Sequence, residues 1–326
     1  MTVFHRNEKK ELLPENLKGG VIAIGNFDGV HRGHRAVLDR ALELAASRDL
    51  PALALTFEPH PRTVFRPETP VFRLTPASVK ARVLEVEGFH SVIEYPFDRD
   101  FSQRSAEDFV KSILVDWLGA SAVVTGVDFH FGKGREGGPA YLMAAGKKHG
   151  FDVVLIDSFR DEGAEIVSSS RIRELLAQGD VVGAAGLLGY RYTVEAEVIG
   201  GQKLGRTLGY PTANMALPPE TELKPGIYAV RFRRADGSLH DGVASFGYRP
   251  TVTDDGAALL ETFIFDFSGD LYGEICSVSF FGHLRDELKF DGLETLVAQI
   301  KQDEDEARAL LSGVKPLGKL DARIAF

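Results

Sequence analysis

Residues 21–34 constrain the fold of this chain more than any other stretch. They begin with a continuous apolar run, Val21-Ile-Ala-Ile24, of the kind found in strands of buried parallel sheets. The run ends at Gly25, and beyond a glycine-containing loop the apolar residues return at near-helical spacing from Ala36. We therefore predict a strand, a tight loop and a helix start. This arrangement suits phosphate groups, because the first N–H groups of a helix lack partners and its dipole attracts anions.

Two histidines, His31 and His34, stand at the predicted start of this helix. At this spacing both side chains lie on one side of the first turn, where they can face a bound polyphosphate. Taken alone, the four residues His-Arg-Gly-His are also compatible with a plain strand–helix corner that carries two surface histidines.

Strands and helices alternate through the rest of the first half. Further strands are predicted at 53–57, 91–95, 121–125 and 152–156, with helices after Ser105 and from Pro139 to about Gly150. Residues 1–20 are polar and are expected to be a short lead-in. The alternation predicts an α/β domain with a doubly wound parallel sheet. Because ligands bind such sheets at the carboxyl ends of the strands, loops 25–34, 57–61 and 126–137 are expected to converge on one crevice.

The periodicity changes to two in the second half, where Tyr228, Val230 and Phe232 alternate with polar neighbours. Short strands without intervening helices, including one at 263–267, predict a small antiparallel β-barrel. An apolar stripe from 293 to 311 predicts a terminal helix capped by Asp291. We expect two domains, at 1–186 and 187–326, joined by a linker at 184–190.

Composition excludes several classes of protein. A length of 326 residues allows two domains, and a net charge of −9 argues against a nucleic-acid-binding surface. Cys276 is the only cysteine, so an internal disulfide and a cysteine-based metal cage are excluded. No run approaches membrane-spanning length, and the first residues contain no apolar signal-peptide core. We therefore expect a cytoplasmic protein with no membrane partner.

The string Gly25-Asn-Phe-Asp-Gly-Val-His-Arg-Gly-His34 resembles the nucleotide-binding signature of the nucleotidyltransferase superfamily. The match is closest to the adenylyltransferase module of bacterial bifunctional riboflavin kinase/FAD synthetases, which implies a Rossmann-like nucleotidyltransferase domain. Residues 167–173 resemble the SSTxxR motif of this family, with Ser170 in place of its threonine. The resemblance implies that the residues binding the nucleotide include Gly25, Asn26, Phe27, Asp28, Gly29, Ser168, Ser169 and Ser170. For Asp28 a role as a turn former is an equally good interpretation.

Two further loops resemble the flavin-side loops of the same family. They are Thr56-Phe-Glu-Pro-His-Pro61 and the glycine-rich stretch 126–137. By this resemblance the flavin-binding residues are Phe57, Pro59, His60, Asp128 and Phe129. Plain core packing explains Phe57 and Phe129 equally well.

The second half carries a different signature, Gly205-Arg-Thr-Leu-Gly-Tyr-Pro-Thr-Ala-Asn214, which resembles that of riboflavin kinases. The resemblance implies that Thr212 and Asn214 hold Mg²⁺ and that Lys203 and Gly205 bind nucleotide. It also implies that Glu261 is the general base. Without the resemblance, this stretch is compatible with a glycine-rich barrel turn, and Glu261 with a solvated strand residue. Ser245 replaces an asparagine that is usual in the family, and we assign it no role.

Together these resemblances imply an enzyme that phosphorylates riboflavin to FMN with ATP and then adenylylates FMN with a second ATP to give FAD and pyrophosphate. Its partners are then riboflavin, FMN, FAD and ATP, with Mg²⁺ on the phosphates. His31, His34 and Arg173 are expected to supply positive charge for adenylyl transfer. The alternatives are a protein with only one active module, or a flavin- or nucleotide-binding regulator without catalysis. The sequence does not give the oligomeric state.

Overall fold

A computed structural model describes residues 2–5, 12–200, 209–248 and 258–326. The chain divides into two compact units. The sheet unit comprises Met1–Val71 and Lys80–Ser168, and the barrel unit comprises Phe72–Val79 and Ser169–Phe326. The second unit therefore includes residues 169–186. The predicted domain boundary, in contrast, lies between 186 and 187. That boundary stays a prediction.

A six-stranded parallel sheet forms the centre of the sheet unit, in the order β1-β4-β3-β2-β5-β6. Its strands are β1 (Thr2–His5), β2 (Val21–Ile24), β3 (Ala52–Glu58), β4 (Ser91–Pro96), β5 (Ala122–Gly126) and β6 (Asp152–Ile156). The five predicted strands are thus confirmed. The expected lead-in is wrong in part, because Thr2–His5 pairs with β4 as an edge strand.

Helices lie between these strands. They are α1 (Arg32–Arg48), α2 (Pro61–Phe65), α3 (Ala77–Glu87), α4 (Arg99–Ser102), α5 (Ala106–Asp108, continued by a π-helical segment at Phe109–Val115) and α6 (Pro139–His149). Ser105 caps α5 as predicted, with its Oγ accepting the Asp108 N–H at 3.1 Å. Gly150 ends α6 at a φ of 84°, also as predicted.

The central strands of this sheet, β2, β3, β4 and β5, are buried on both faces. On one face Ile22, Ile24 and Leu53 belong to a cluster with Phe109 and Ile113 of the π-helical segment. Helix α1 also contacts β2, β3 and β5. Parallel strands covered in this way read as continuous apolar runs, which explains why their sequence signal was clear.

The barrel unit begins with two helices and continues as a closed antiparallel barrel in the order β10-β11-β8-β7-β12-β9. Its strands are β7 (Thr193–Ile199), β8 (Thr212–Leu217), β9 (Gly226–Arg233), β10 (Leu239–Tyr248), β11 (Ala258–Ile264) and β12 (Ile275–Arg285). Its helices are α7 (Ser169–Gln178), α8 (Val181–Leu188), α9 (Leu293–Gly313) and α10 (Lys319–Ile324). The predicted fold class, an α/β domain followed by a small barrel with a terminal helix, is confirmed.

Three local predictions in the barrel unit are wrong. The expected linker at 184–190 is mostly helix α8, which Asp180 caps and Gly189 ends. The strand expected at 263–267 stops at Ile264, because Asp266 adopts a φ of 54° that a strand cannot contain. The expected cap Asp291 does not cap α9, whose N-cap is Gly292.

Among the described residues, none of the helices combines the length and the apolar character needed to cross a bilayer.

The C-terminal helix α10 is fastened to the start of the barrel by a buried carboxylate. Asp321 accepts the backbone N–H groups of Arg191, at 2.7 Å, and of Leu317, at 2.9 Å. It is also ion-paired with the Arg191 guanidinium, and its own side chain is fully buried. A buried charge with this many partners is costly to break, because its removal strands the remaining groups.

We therefore expect Asp321→Ala to lower the free energy of unfolding by about 3–5 kcal/mol. Urea denaturation of the full chain measures the change. The control is Asp305→Ala, which removes an exposed ion pair with Lys301 within α9 and should cost less than about 1 kcal/mol. Equal losses in the two variants would contradict a fastening role for Asp321.

Candidate functional site

The loop after β2 has an unusual backbone. Phe27, Gly29 and Val30 adopt φ values of 48°, 88° and 37°. Non-glycine residues rarely adopt such values, and they persist where the surrounding structure holds them in place. Phe27 and Asp28 are buried, and a side chain at Gly25 would lie 2.8 Å from the Phe27 ring. The loop is therefore a tightly fixed connection that delivers the chain to the start of α1.

The two predicted histidines lie in direct contact at that helix start. His31 is the N-cap of α1, and its Nδ1 accepts the His34 backbone N–H at 3.1 Å. The two rings are stacked with centroids 3.6 Å apart, and the edge of Phe27 contacts His34. This confirms the prediction that both side chains lie on one side of the first turn. Because Nδ1 of His31 is an acceptor, its Nε2 is the nitrogen able to donate.

The pKa of His34 bears on the expectation that this residue supplies positive charge. Burial, the neighbouring His31 and the nearby Lys80 lower the pKa of His34 well below its usual value. Its Nδ1 is buried and has no hydrogen-bond partner among the described residues. In the protein without ligands these effects disfavour the positively charged form of His34. The prediction that His31 and His34 supply positive charge to bound phosphates stays a prediction.

The segment after β6 packs against the same turn. A Cβ at Gly33 would lie 3.1 Å from the His31 ring and from the Val167 carbonyl oxygen, so a side chain here would press against both. The Arg32 guanidinium binds the two carboxylate oxygens of Glu162, at 2.6 and 3.0 Å, and lies over the Phe159 ring. The residue just before Ser168 is thus held at the histidine turn.

The end of β3 is joined to the loop after β2 by a chain of polar contacts. Thr56 Oγ1 donates to the Asn26 carbonyl oxygen at 3.0 Å. It also accepts from Nζ of the fully buried Lys80 at 3.0 Å, and the same Nζ contacts Glu58 Oε1 at 2.5 Å. Sequence reasoning missed Lys80, because nothing in the sequence of α3 distinguishes it from a solvated lysine. Only its burial identifies it.

The predicted flavin-binding residues differ in their surroundings. Phe57 is buried among Phe97, Phe101 and Phe109. These surroundings agree with the interpretation that Phe57 packs in the core. Phe129 is partly buried and stacks on Phe131. Pro59 and Asp128 are exposed, and His60 is partly buried and caps α2 through its Nδ1. The flavin-binding roles of all five residues stay predictions.

The serine–arginine motif lies at a helix start, as the resemblance implied. Ser169 and Ser170 are the first residues of α7, directly after Ser168. Within the barrel unit, Nε of Arg173 donates to the Phe72 carbonyl oxygen at 2.7 Å. Ser168 belongs to the sheet unit, whereas the motif from Ser169 onward belongs to the barrel unit.

In the barrel unit, strand register brings together the predicted kinase residues. Glu261 on β11 pairs with Asn214 on β8, and Ser245 on β10 pairs with Glu261 from the other side. Thr212 stands two residues before Asn214, so its side chain lies on the same face. The row of Asn214, Glu261 and Ser245 thus crosses three adjacent strands. A fully buried row, Met215, Leu260 and Phe246, lies on the opposite face.

The donor atoms of this row fit a hard cation. Asn214 Nδ2 donates to the Thr212 carbonyl oxygen at 3.2 Å, whereas Asn214 Oδ1 is buried and has no partner among the described residues. A buried oxygen without a partner is costly unless something binds it, and Mg²⁺ prefers such neutral and carboxylate oxygens. The described residues contain no cluster of three or more His, Cys, Asp or Glu side chains placed to hold a metal.

Some predicted residues fall outside the described residues. Lys203 and Gly205, predicted to bind nucleotide, lie within 201–208, and the end of the Ser245 motif lies within 249–257. An aromatic pair beside the row was not predicted, namely Tyr210 packed edge-on against Phe263 with centroids 5.0 Å apart. Tyr210 lies within the riboflavin kinase signature at 205–214, so its position in that signature could have identified it from the sequence.

Comparison with known proteins places both halves in described families. A family model described as FAD synthetase matches residues 13–171, and one described as riboflavin kinase matches residues 188–311. These matches confirm the resemblance found in each half of the sequence.

Curated relatives with the name bifunctional riboflavin kinase/FMN adenylyltransferase align over nearly the whole chain. The one from Pseudomonas fluorescens is 42% identical over 299 residues, which cover 92% of this chain and 95% of the relative. The one from Listeria monocytogenes is 39% identical, covering 90% and 92%. A solved structure described as a macrolide-efflux protein from Streptococcus pneumoniae has a TM-score of 0.83 and 29% identity, covering 94% of this chain and 99% of that chain.

The lowered pKa of His34 predicts a pH dependence of stability. Between the depressed folded pKa and the ordinary value of 6.5, the unfolded chain binds a proton at His34 that the folded chain does not. Folded stability must therefore fall as the pH drops below about 6.5, by up to about 1.4 kcal/mol per pH unit from this group.

Urea unfolding of the wild type and His34→Gln at several pH values measures this contribution. The variant should lose stability less steeply below the ordinary histidine pKa, while the two proteins run parallel at higher pH, which serves as the internal control. Identical slopes across the whole range would refute the depressed pKa.

Proposed function

The chain belongs to the family of bifunctional riboflavin kinase/FMN adenylyltransferases, and we propose how its residues divide the two activities. The enzyme phosphorylates riboflavin to FMN with one ATP and converts FMN to FAD with a second. We assign adenylyl transfer to the sheet unit with the α7 motif, and riboflavin phosphorylation to the barrel. The observation that supports this assignment is that the two groups of side chains lie in different units, the stacked histidines at α1 in the sheet unit and the Glu261–Asn214 pair in the barrel unit. The relatives are named for both activities, which favours this assignment over a single active module and over a non-catalytic regulator.

Adenylyl transfer requires alignment and charge stabilisation more than covalent catalysis. The FMN phosphate attacks the α-phosphorus of ATP, the bond to the β-phosphate oxygen breaks, and pyrophosphate leaves. In our proposal the N-terminal N–H groups of α1 and the imidazoles of His31 and His34 bind the ATP phosphates. Because burial, His31 and Lys80 disfavour the charged form of His34, we propose that His34 contributes as a polar group and Arg173 as a fixed positive charge. Gly25, Asn26, Phe27, Asp28, Gly29 and the three serines at 168–170 are proposed to complete the nucleotide site.

Riboflavin phosphorylation requires a base and a bound γ-phosphate. In our proposal Glu261 takes the proton from the terminal ribityl hydroxyl as its oxygen attacks the γ-phosphorus, and ADP leaves. The register between Glu261 and Asn214 supports this role, because it sets the carboxylate beside the oxygen atoms proposed for metal binding.

Mg²⁺ is the cation that we propose for this enzyme. Thr212 and Asn214 would hold it, and the buried, unpartnered Oδ1 of Asn214 is the observation that supports them. When bound, the ion would neutralise charge on the phosphates. Phe57, Pro59, His60, Asp128 and Phe129 remain our proposed flavin-binding residues, and Lys203 and Gly205 our proposed nucleotide-binding residues in the barrel.

We also propose that the enzyme works in the cytoplasm and that its partners are riboflavin, FMN, FAD and ATP. The single cysteine, Cys276, is buried, and a chain with one cysteine needs no oxidising compartment for internal disulfides. We keep the proposed domain boundary between residues 186 and 187, which lies in the interval between the two matched family segments.

We expect Glu261→Gln to lower the rate of FMN formation from riboflavin by about 10²-fold or more, because the amide cannot accept the proton. Chromatographic separation of flavins measures the rate. Conversion of supplied FMN to FAD should be unaffected. The control is Glu197→Gln, an exposed β7 residue that should leave both rates unchanged. Near wild-type FMN formation by the Glu261 variant would remove its assigned role.

We expect the double variant His31→Ala/His34→Ala to show the opposite pattern. FAD formation from supplied FMN should fall by about 10²-fold or more, since the phosphate-binding turn loses both imidazoles. FMN formation from riboflavin should persist. The two variants thus serve as controls for each other, and a loss of both activities in either one would contradict the division between the units.

A further inference from the structure

The sheet unit buries one ammonium group completely. Lys80 lies on α3 with no exposed surface, and its Nζ binds Thr56 Oγ1 at 3.0 Å and Glu58 Oε1 at 2.5 Å. Moving an ammonium out of water costs several kcal/mol unless partners compensate it. A lysine in this position is therefore unlike the surface lysines of the chain.

Its contacts connect two loops of the proposed adenylyl-transfer site. The Thr56 hydroxyl accepts from Lys80 and donates to the Asn26 carbonyl oxygen, so the chain Lys80–Thr56–Asn26 reaches the loop after β2. Glu58, whose carboxylate is ion-paired with Lys80, is the last residue of β3 and comes immediately before Pro59 and His60. A buried chain of charged and neutral hydrogen bonds is strengthened by the low local dielectric.

The same ammonium acts on the histidine turn. Lys80 is one of the groups that lower the pKa of His34, together with burial and His31. Besides His31, the ring of Phe27 also contacts the His34 ring, in an edge-to-face arrangement. The hydrogen bonds of Lys80 with Thr56 and Glu58, together with that of Thr56 with Asn26, connect α3 to β3 and to the loop after β2.

Other buried carboxyl groups lie at these strand ends. Asp28 lies in the loop after β2, and Glu94 on β4 pairs in register with Thr56. Glu58, in contrast, is ion-paired with Lys80 directly.

We propose that Lys80 is a positioning residue for adenylyl transfer, whose buried ammonium holds the loop of Asn26 and the loop that follows Glu58 in place around the histidine turn. Its ammonium also disfavours a positive charge on His34, in addition to burial and the neighbouring His31. This inference rests on the proposed assignment of adenylyl transfer to the sheet unit.

The principal variant is Lys80→Met, which keeps the length of the side chain and removes its charge. Conversion of supplied FMN to FAD is measured over a pH series, and the His34 ring is titrated by NMR in the protein without ligands. We expect kcat at neutral pH to fall by about tenfold or more. Without Lys80 the pKa of His34 should rise, since a like charge is gone. A purely structural role for Lys80 would leave the titration of His34 unchanged.

A matched control uses another lysine of the same unit. Lys148 is exposed and ion-paired with Glu107, so Lys148→Met should change neither kcat nor the His34 titration. The thermal unfolding of the full chain reports whether each variant is folded, and FMN formation from riboflavin, an activity assigned to the barrel unit, should be unchanged in both variants.

Two further comparisons apply even if Lys80→Met unfolds the sheet unit. Thr56→Ser keeps the hydroxyl between Lys80 and Asn26 and should retain activity, whereas Thr56→Val removes it and should lower kcat by about tenfold. Equal activity of the two Thr56 variants would overturn the proposed chain of contacts.

Glu58→Gln tests whether Lys80 serves only to neutralise Glu58. The double variant Lys80→Met/Glu58→Gln should remain as impaired as Lys80→Met, and recovery of wild-type kcat would overturn the proposal. If the wild type makes no FAD from supplied FMN, the proposed function fails. If it does, but Lys80→Met matches it in kcat and in the His34 titration, only the inference about Lys80 fails.

Discussion

The histidine turn of the sheet unit depends on one hydrogen bond at the start of α1, from the His34 backbone N–H to Nδ1 of His31. This bond caps the helix with an imidazole in place of the usual serine or aspartate. It thereby fixes one nitrogen of His31 as an acceptor and stacks the two rings. A parallel sheet whose central strands are buried on both faces brings the chain to this point, and the strained loop after β2 turns it. The same contact therefore fixes both the helix start and the orientation of the proposed catalytic side chains.

The barrel unit reaches its site by a different constraint, the period of two along its strands. Because neighbouring strands are in register, Asn214 and Glu261 become direct neighbours although they are far apart in sequence. One face of β8 and β11 contributes Met215 and Leu260 to the core, which leaves the alternate face for polar residues. The orphaned oxygen of Asn214 is the cost of this arrangement, and a bound cation would remove it.

The sequence predicted those parts of the fold that local pattern controls. Continuous apolar runs located five parallel strands, and the spacing of His31 and His34 predicted their common side of the helix. It could not locate α8, which lies in the stretch predicted as a linker and gains its stability from burial. Nor could it reveal the lowered pKa of His34 or the burial of Lys80. Both arise from tertiary neighbours, since the groups that act on His34 include a residue from another helix.

The most direct test of this account is a time course with the purified full chain, riboflavin, ATP and Mg²⁺, with the three flavins separated by chromatography. The account predicts that FMN rises first and FAD follows, and that FAD forms without a lag when FMN is supplied. No conversion of either flavin would contradict it. Accumulation of FMN that is never converted to FAD, even when FMN is the starting substrate, would contradict the assignment of adenylyl transfer to the sheet unit.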